Sequence, residues 1–195
     1  MDWLDKNGAA DNTIVIFMSD NGGLSSEPEW RDGKLHTQNS PLNSGKGSAY
    51  EGGVREPMIV RWPGVVKPDT KCDKYLIIED FYPTILEMAQ IKHYKTVQPI
   101  DGISFMPLLT HTGDPSKGRS LHWNFPNHWG NDGPGIGPTC TVRKGDWKLI
   151  YYYDSGKKEL FNIPEDIGEK NDLAALHPDI VKSLSKELGD YLRVI

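Results

Sequence analysis

An apolar run that stops at a polar, glycine-rich turn constrains the fold of this chain more than any other feature. Residues 13–18 read Thr-Ile-Val-Ile-Phe-Met, and Ser-Asp-Asn-Gly-Gly follows at residues 19–23. A short run so dense in β-branched residues predicts a buried strand of an α/β sheet. Ligands of such sheets bind beyond the carboxyl ends of the strands, which is where Asp20 and Asn21 stand. The sequence therefore predicts a binding site directly after residue 18.

Asp20 and Asn21 carry the chemistry of a hard-cation site. They offer a carboxylate and an amide oxygen side by side, and Ca²⁺ and Mg²⁺ prefer such oxygen donors. Gly22 and Gly23 lack a Cβ, so the chain can turn sharply there and a ligand can approach the backbone. An ordinary turn is the alternative, because Asn-Gly is a strong turn signal by itself.

A second glycine-rich stretch presents a lysine. Lys46 stands between two glycines, from where its ammonium can reach an anionic oxygen as a point charge. A lone Gly-Lys-Gly is more typical of a solvated loop. Residues 49–54 predict a short helical turn that brings Glu51 and Arg55 together and holds the Lys46 loop in place. The polar loop before it, residues 25–44, contains His36, which is either solvated or turned toward a substrate.

Residues 12–22 and 45–57 together resemble the second half of the type I sulfatase domain, within the alkaline-phosphatase superfamily. The block Gly-Lys-Gly-Ser-Ala-Tyr-Glu-Gly-Gly-Val-Arg-Glu-Pro at residues 45–57 is specific to sulfatases. The resemblance implies that Asp20 and Asn21 ligate a divalent metal, usually Ca²⁺, with Mg²⁺ as the other candidate. It also implies that Lys46 is a catalytic and substrate-binding residue that contacts the sulfate and the leaving-group side.

The rest of the chain contains regular elements. Residues 57–64 predict a strand closed by a Pro-Gly turn. A helix is predicted from Asp80 to Ala89, with Pro83 tolerated in its first turn. Three short-turned strands predict an antiparallel meander at residues 139–143, 147–153 and 159–162. A final amphipathic helix is predicted from Pro178.

These elements and the resemblance define an expected architecture. The fold class is α/β: the C-terminal part of an alkaline-phosphatase-like, mostly parallel sheet with flanking helices, plus a small antiparallel sheet and a C-terminal helix. Residues 1–112 are expected to form the C-terminal portion of the sulfatase catalytic domain, and residues 113–195 a small α+β subdomain. Residues 2–8 resemble a helix tail that runs into the central strand, which indicates the C-terminal part of a longer protein.

The sulfatase nucleophile is expected to lie outside this chain. In the family it is a formylglycine, made from a cysteine or serine in a Cys/Ser-x-Pro/Ala-x-Arg motif near the N-terminus of the full domain. Cys72, Cys140, Ser40 and Ser116 do not stand in that motif. Calcium takes about six to eight oxygen ligands, so Asp20 and Asn21 cannot complete its site. We therefore expect the isolated chain to be inactive and to need the missing N-terminal half as its partner.

Residues 121–129 are rich in histidine and aromatic residues, as are substrate-facing stretches of many glycan sulfatases. The resemblance implies that His128 binds a sugar or the sulfate-bearing ring and that His122 supports it. Alternatively, Trp123, Phe125 and Trp129 form a seam between subdomains with the histidines at its edge. Both interpretations of His128 stay open, whereas the seam is favoured for His122.

Composition narrows the class of partner. The net charge of −5 argues against nucleic acid, and no apolar stretch is long enough to span a membrane. Cys72 and Cys140 are expected to be structural thiols. The expected function is sulfate-ester hydrolysis on a sulfated small molecule or glycan. A phosphatase or phosphonate hydrolase of the same superfamily, or a non-catalytic sugar-binding remnant, is the alternative. The family implies a periplasmic, lysosomal or secreted location, with any signal in the missing part.

Overall fold

A computed structural model describes residues 1–25, 37–128 and 133–193. Its helices and strands, in chain order, are α1 (Asp2–Lys6), β1 (Val15–Met18), α2 (Glu51–Val54), β2 (Met58–Arg61), α3 (Phe81–Met88), α4 (Met106–Leu109), β3 (Ser120–Phe125), β4 (Thr139–Lys144), β5 (Trp147–Tyr152), β6 (Lys158–Asn162) and α5 (Pro178–Leu192).

The chain forms two compact units: residues 1–18 with 58–118, and residues 19–57 with 119–195. The second unit thus contains residues 19–57 as well as the C-terminal region. The predicted division after residue 112 concerns the subdomains of the family and stays a prediction. No helix in the described ranges is long and apolar enough to cross a lipid bilayer.

The first unit contains a two-stranded sheet. Strands β1 and β2 pair antiparallel, with Val15 opposite Arg61 and Phe17 opposite Ile59. The α/β fold class is confirmed. In the described residues, however, β1 has an antiparallel partner, Phe17 is 70% exposed and Ile59 is 65% exposed, so β1 is not the buried strand that the sequence predicts. The β-branched run correctly indicates a strand. It does not encode the direction of the partner strand or what covers the sheet, and those two properties decide burial.

Helix α3 begins where the sequence predicts, directly after Asp80. The buried Asp80 carboxylate does not cap this helix. It accepts hydrogen bonds from the backbone N–H groups of Ile77, at 3.0 Å, and Ile103, at 2.9 Å. Thr84 extends this link, because its hydroxyl donates to the Asp80 carbonyl and accepts from the Phe105 N–H. Buried polar groups thus attach α3 to the segment that follows it.

The second unit contains a four-stranded antiparallel sheet with the order β3-β4-β5-β6. The three predicted strands of the meander are confirmed as β4, β5 and β6. Strand β3 is an addition, since the sequence singled out its residues only as an aromatic and histidine-rich stretch. Alternating Leu121, Trp123 and Phe125 are the period-two signal that could have identified it.

Both faces of this sheet are covered. On one face, Leu184 and Leu188 of α5 pack in a cluster whose members from the strands are Cys140, Val142, Leu149 and Leu160. Burial of each large aliphatic side chain contributes about 1.5–3 kcal/mol. This confirms the predicted final helix and its apolar face. On the other face, Tyr50 packs with Ile150, Phe161 and Ile163, so the glycine-rich stretch around Lys46 is anchored to the sheet.

Candidate functional site

Two glycine-rich segments of the second unit meet through their backbones. We call residues 19–23 the Asp20 turn and residues 43–53 the Lys46 segment. The Gly22 N–H donates to the Gly53 carbonyl at 3.0 Å, and the Lys46 N–H donates to the Gly23 carbonyl at 3.1 Å. A Cβ at Gly22 would lie 1.8 Å from the Gly52 carbonyl oxygen, so this contact requires glycine. The two stretches that the sequence singled out are therefore neighbours in space.

Asn39 joins the same two segments through its side chain. Its Oδ1 accepts from the Gly23 N–H at 3.2 Å, and its Nδ2 donates to the carbonyls of Gly23 at 3.0 Å and Ser44 at 2.9 Å. Asn39 is a residue that the sequence motifs did not indicate. A single asparagine in a polar loop carries no periodic or motif signal, although its amide can bridge two backbones at once.

The candidate side chains are accessible to a ligand. Asp20 and Lys46 are exposed, and Asn21 is half-buried. Burial, and next the negative charge of Asp20, raise the pKa of the Glu56 carboxyl, so Glu56 gives up its proton less readily beside the Asp20 turn. These carboxylate and amide oxygens suit a hard divalent cation. Across residues 1–25, 37–128 and 133–193, no three His, Cys, Asp or Glu side chains are grouped to hold a metal.

A buried cluster of charges lies beneath the Lys46 segment, and we call it the Lys148 cluster: Glu51, Arg143, Lys148 and Glu169. The Lys148 ammonium lies 3.0 Å from Glu51 Oε1 and 2.9 Å from Glu169 Oε1. Arg143 lies 3.4 Å from Glu51 Oε2, and Glu169 Oε2 accepts the Glu51 N–H. Burial opposes ionisation of Glu51, but the positive charges of Lys148 and Arg143 outweigh it and lower the pKa of this carboxyl. For Glu169 the balance is reversed: burial raises its pKa, although Lys148 acts to lower it.

The predicted pair of Glu51 and Arg55 is present in the structure, at 3.5 Å, between the first residue of α2 and the residue that directly follows this helix. The buried partners of Glu51 were not predictable from the sequence. Lys148 and Glu169 stand 97 and 118 positions away along the chain, and no local pattern connects such positions.

Further contacts attach the Lys46 segment to the sheet. The hydroxyls of Tyr50 and Tyr152 both donate to Glu159 Oε2, at 2.8 Å and 2.6 Å. The Ala49 N–H donates to the Gly135 carbonyl, and the Ser48 hydroxyl donates to the Pro134 carbonyl. Hydrogen bonds of residues 48–50 therefore fix the backbone that follows the exposed Lys46.

The two candidate histidines have different surroundings. His122 of β3 stacks on Tyr191 of α5, with ring centroids 4.5 Å apart, and its Nε2 lies 3.8 Å from Glu187. Burial lowers its pKa. His128 is exposed, with its Nε2 3.2 Å from Asp154 Oδ2. Trp129 and His36 lie outside the described residues.

Comparison with known proteins gives concordant matches. The family model described as N-sulphoglucosamine sulphohydrolase, C-terminal, matches residues 45–193. A sulfatase of Formosa agariphila is 36% identical over 95% of this chain and 34% of that protein. The N-acetylgalactosamine-6-O-sulfatase of Bacteroides thetaiotaomicron is 30% identical over 96% of this chain and 38% of that protein.

Solved structures agree with these matches. The crystal structure of Ps i-CgsB in complex with k-i-k-neocarrahexaose gives a TM-score of 0.79 at 29% identity, over 97% of this chain and 38% of that one. The structure of BT4656 with its substrate D-glucosamine-2-N,6-O-disulfate gives 0.75 at 25% identity, over 98% and 36%. The chain thus spans between 34% and 38% of the length of these four proteins.

Proposed function

Because the chain belongs to the type I sulfatases and matches their C-terminal part, we propose that it supplies Asp20, Asn21 and Lys46 to a sulfuric ester hydrolase. The observation that carries this proposal is the backbone contact between the Asp20 turn and the Lys46 segment. The formylglycine nucleophile comes from the N-terminal portion with which this chain completes the enzyme.

Lys46 acts on the charge that sulfate-ester cleavage develops. The sulfate group is anionic in the ground state, and negative charge grows on the leaving oxygen as the ester bond breaks. An ammonium held beside those oxygens stabilises the transition state, an electrostatic effect that is often among the largest in catalysis. Asp20 and Asn21, together with donors of the N-terminal portion, would hold a Ca²⁺ or Mg²⁺ ion, which would supply further positive charge there.

A sulfated glycan is the proposed substrate. Ps i-CgsB and BT4656 were solved with an oligosaccharide and a sulfated sugar, respectively, and those ligands belong to those proteins. In this chain the exposed His128, beside Asp154, can offer a ring nitrogen to a sugar hydroxyl or sulfate. His122 supports it by fixing β3 against α5. An enzyme that acts on such glycans fits a periplasmic, lysosomal or secreted location.

Turnover tests this function. The chain, joined to its N-terminal portion, is assayed with an aryl sulfate and the matching aryl phosphate. We expect sulfate release, and we expect Lys46→Ala to lower kcat/KM by about a hundredfold or more, as loss of one oxyanion donor does. The control is Lys144→Ala, an exposed lysine paired with Glu187. Its kcat/KM should stay close to that of the wild type.

The alternatives make different predictions in the same assay. A phosphatase or phosphonate hydrolase would release phosphate faster than sulfate. A non-catalytic sugar-binding remnant would release neither, even when joined to the N-terminal portion, while still binding a sulfated glycan in calorimetry. Normal sulfate release by Lys46→Ala would contradict the role of the lysine.

A further inference from the structure

We propose that the Lys148 cluster is a positioning cluster, which fixes α2 on the sheet and thereby sets the placement of both the Lys46 segment and the Asp20 turn. The role in sulfate cleavage rests on the function proposed above. The positioning itself rests on buried contacts that involve neither metal nor substrate.

Lys148 is an unusual residue for its place in the sheet. It lies in β5 with its side chain fully buried, and its ammonium stands between two carboxylates. Lysine is almost never fully buried unless it is paired. Buried ion pairs are costly to desolvate, and well-packed apolar residues of the same volume often replace them without loss of stability. Packing of the sheet therefore does not require a lysine here, whereas a defined position for its partners does.

One of those partners, Glu51, is the first residue of α2 and belongs to the Lys46 segment. Glu169 contacts Lys148 with one carboxylate oxygen and the Glu51 backbone N–H with the other. The cluster thus holds α2 by both its side chain and its backbone. Moving α2 away from the sheet would separate buried charges from their partners.

A continuous series of tight backbone contacts connects α2 to the candidate site. The Gly52 N–H donates to the Asn43 carbonyl at 3.0 Å, and the Gly53 carbonyl accepts from Gly22 at 3.0 Å. A Cβ at Gly52 or Gly53 would lie 2.2 Å from a carbonyl oxygen, of Asn43 or Ser48 respectively. With so little space, a shift of α2 moves the neighbouring backbone as well.

Amide hydrogen exchange in the 195-residue chain tests the positioning. Lys148→Met keeps an unbranched side chain but removes the ammonium that contacts both Glu51 and Glu169. We expect amide exchange of Lys46, Gly52 and Gly53 to accelerate at least about tenfold more than exchange of the β4 amides, because loss of one buried charge strongly destabilises its partners. Equal acceleration of both groups, or none, overturns the proposal.

A second variant distinguishes the loss of charge pairing from a general loss of folding. Lys148→Met/Glu169→Gln removes one charge of each sign and keeps an amide oxygen that can accept the Glu51 N–H. If the cluster acts through charge pairing, this double variant exchanges more slowly at Gly52 and Gly53 than Lys148→Met does. The control Lys144→Met removes an exposed, paired lysine of the same sheet and should leave these amides unchanged. Failure of the double variant to recover protection overturns the proposal.

The kcat/KM of the chain joined to its N-terminal portion tests the positioning independently. A cluster that acts through the Lys46 segment lowers kcat/KM when Lys148 is replaced by Met, and the loss is smaller in a Lys46→Ala background. A purely structural role would lower activity by the same factor in both backgrounds, which overturns the proposal. Normal activity of Lys46→Ala would contradict the proposed function, and the exchange measurements would still decide the positioning.

Discussion

At the scale of single residues, two glycines predict opposite effects of the same substitution. Gly22→Ala would place a Cβ 1.8 Å from the Gly52 carbonyl oxygen. Relief of such a clash requires backbone shifts, and we expect a loss of about 1–3 kcal/mol in the free energy of unfolding. A Cβ at Gly189 in α5 would meet no atom within 4 Å apart from its own helix backbone, so Gly189→Ala should stabilise by up to about 1 kcal/mol. Urea denaturation measures both values, and a stabilising Gly22→Ala would contradict the contact.

Single residues also show what local sequence can encode. Asp20, Asn21 and Lys46 lie in short motifs whose chemistry is readable from neighbouring positions, and the structure brings their segments together. Asn39 and Lys148 lie in no such motif. Their roles depend on partners distant in the chain, which only the folded backbone brings within hydrogen-bond distance.

At the scale of elements, strand β5 and its neighbours predict an alkaline limit of stability. Burial, followed by hydrogen bonding to Glu159, raises the pKa of Tyr50 and of Tyr152, and burial raises the pKa of Tyr153 to about 12. A tyrosine in an unfolded chain titrates near pH 10. Above about pH 10 the tyrosines of the unfolded chain lose protons that the same tyrosines keep in the folded state. The free energy of unfolding therefore falls as the pH rises.

The free energy of unfolding, measured between about pH 8 and about pH 11, checks this prediction. Tyr153→Phe should show a shallower decline than the wild type, because one proton-retaining hydroxyl has been removed. Tyr82→Phe, at an exposed position on α3, should decline as the wild type does. Identical slopes for all three proteins would show that the buried hydroxyls do not titrate with folding.

Elements were predictable where the hydrophobic period was regular. Strands β4, β5 and β6 and helix α5 follow from alternation and from an apolar helical face, and the structure confirms them. Strand β3 was missed because its aromatic residues and histidines suggested a site before they suggested a strand. The exposure of Phe17 and Ile59 was unpredictable from β1 alone, since burial depends on what packs against the sheet.

At the scale of the whole molecule, the metal role proposed for Asp20 and Asn21 predicts weak metal binding by this chain. Asp20 and Asn21 supply at most a few of the roughly six to eight oxygens that calcium takes. Calorimetric titration of the 195-residue chain with Ca²⁺ should therefore show no tight binding. Joined to the N-terminal portion, the chain should bind Ca²⁺ more tightly, and Asp20→Ala should abolish that gain. Tight binding by the 195-residue chain would contradict a site completed from elsewhere.

The Lys148 cluster joins three distant parts of the chain into one electrostatic unit. Three of its four members, Glu51, Lys148 and Glu169, come from α2, β5 and the segment before α5. A neutral replacement at any one position leaves a buried charge uncompensated. A protein that changes these residues one at a time therefore passes through a destabilised variant. Across homologous sequences these three positions should therefore covary, changing together between a charged and an apolar set.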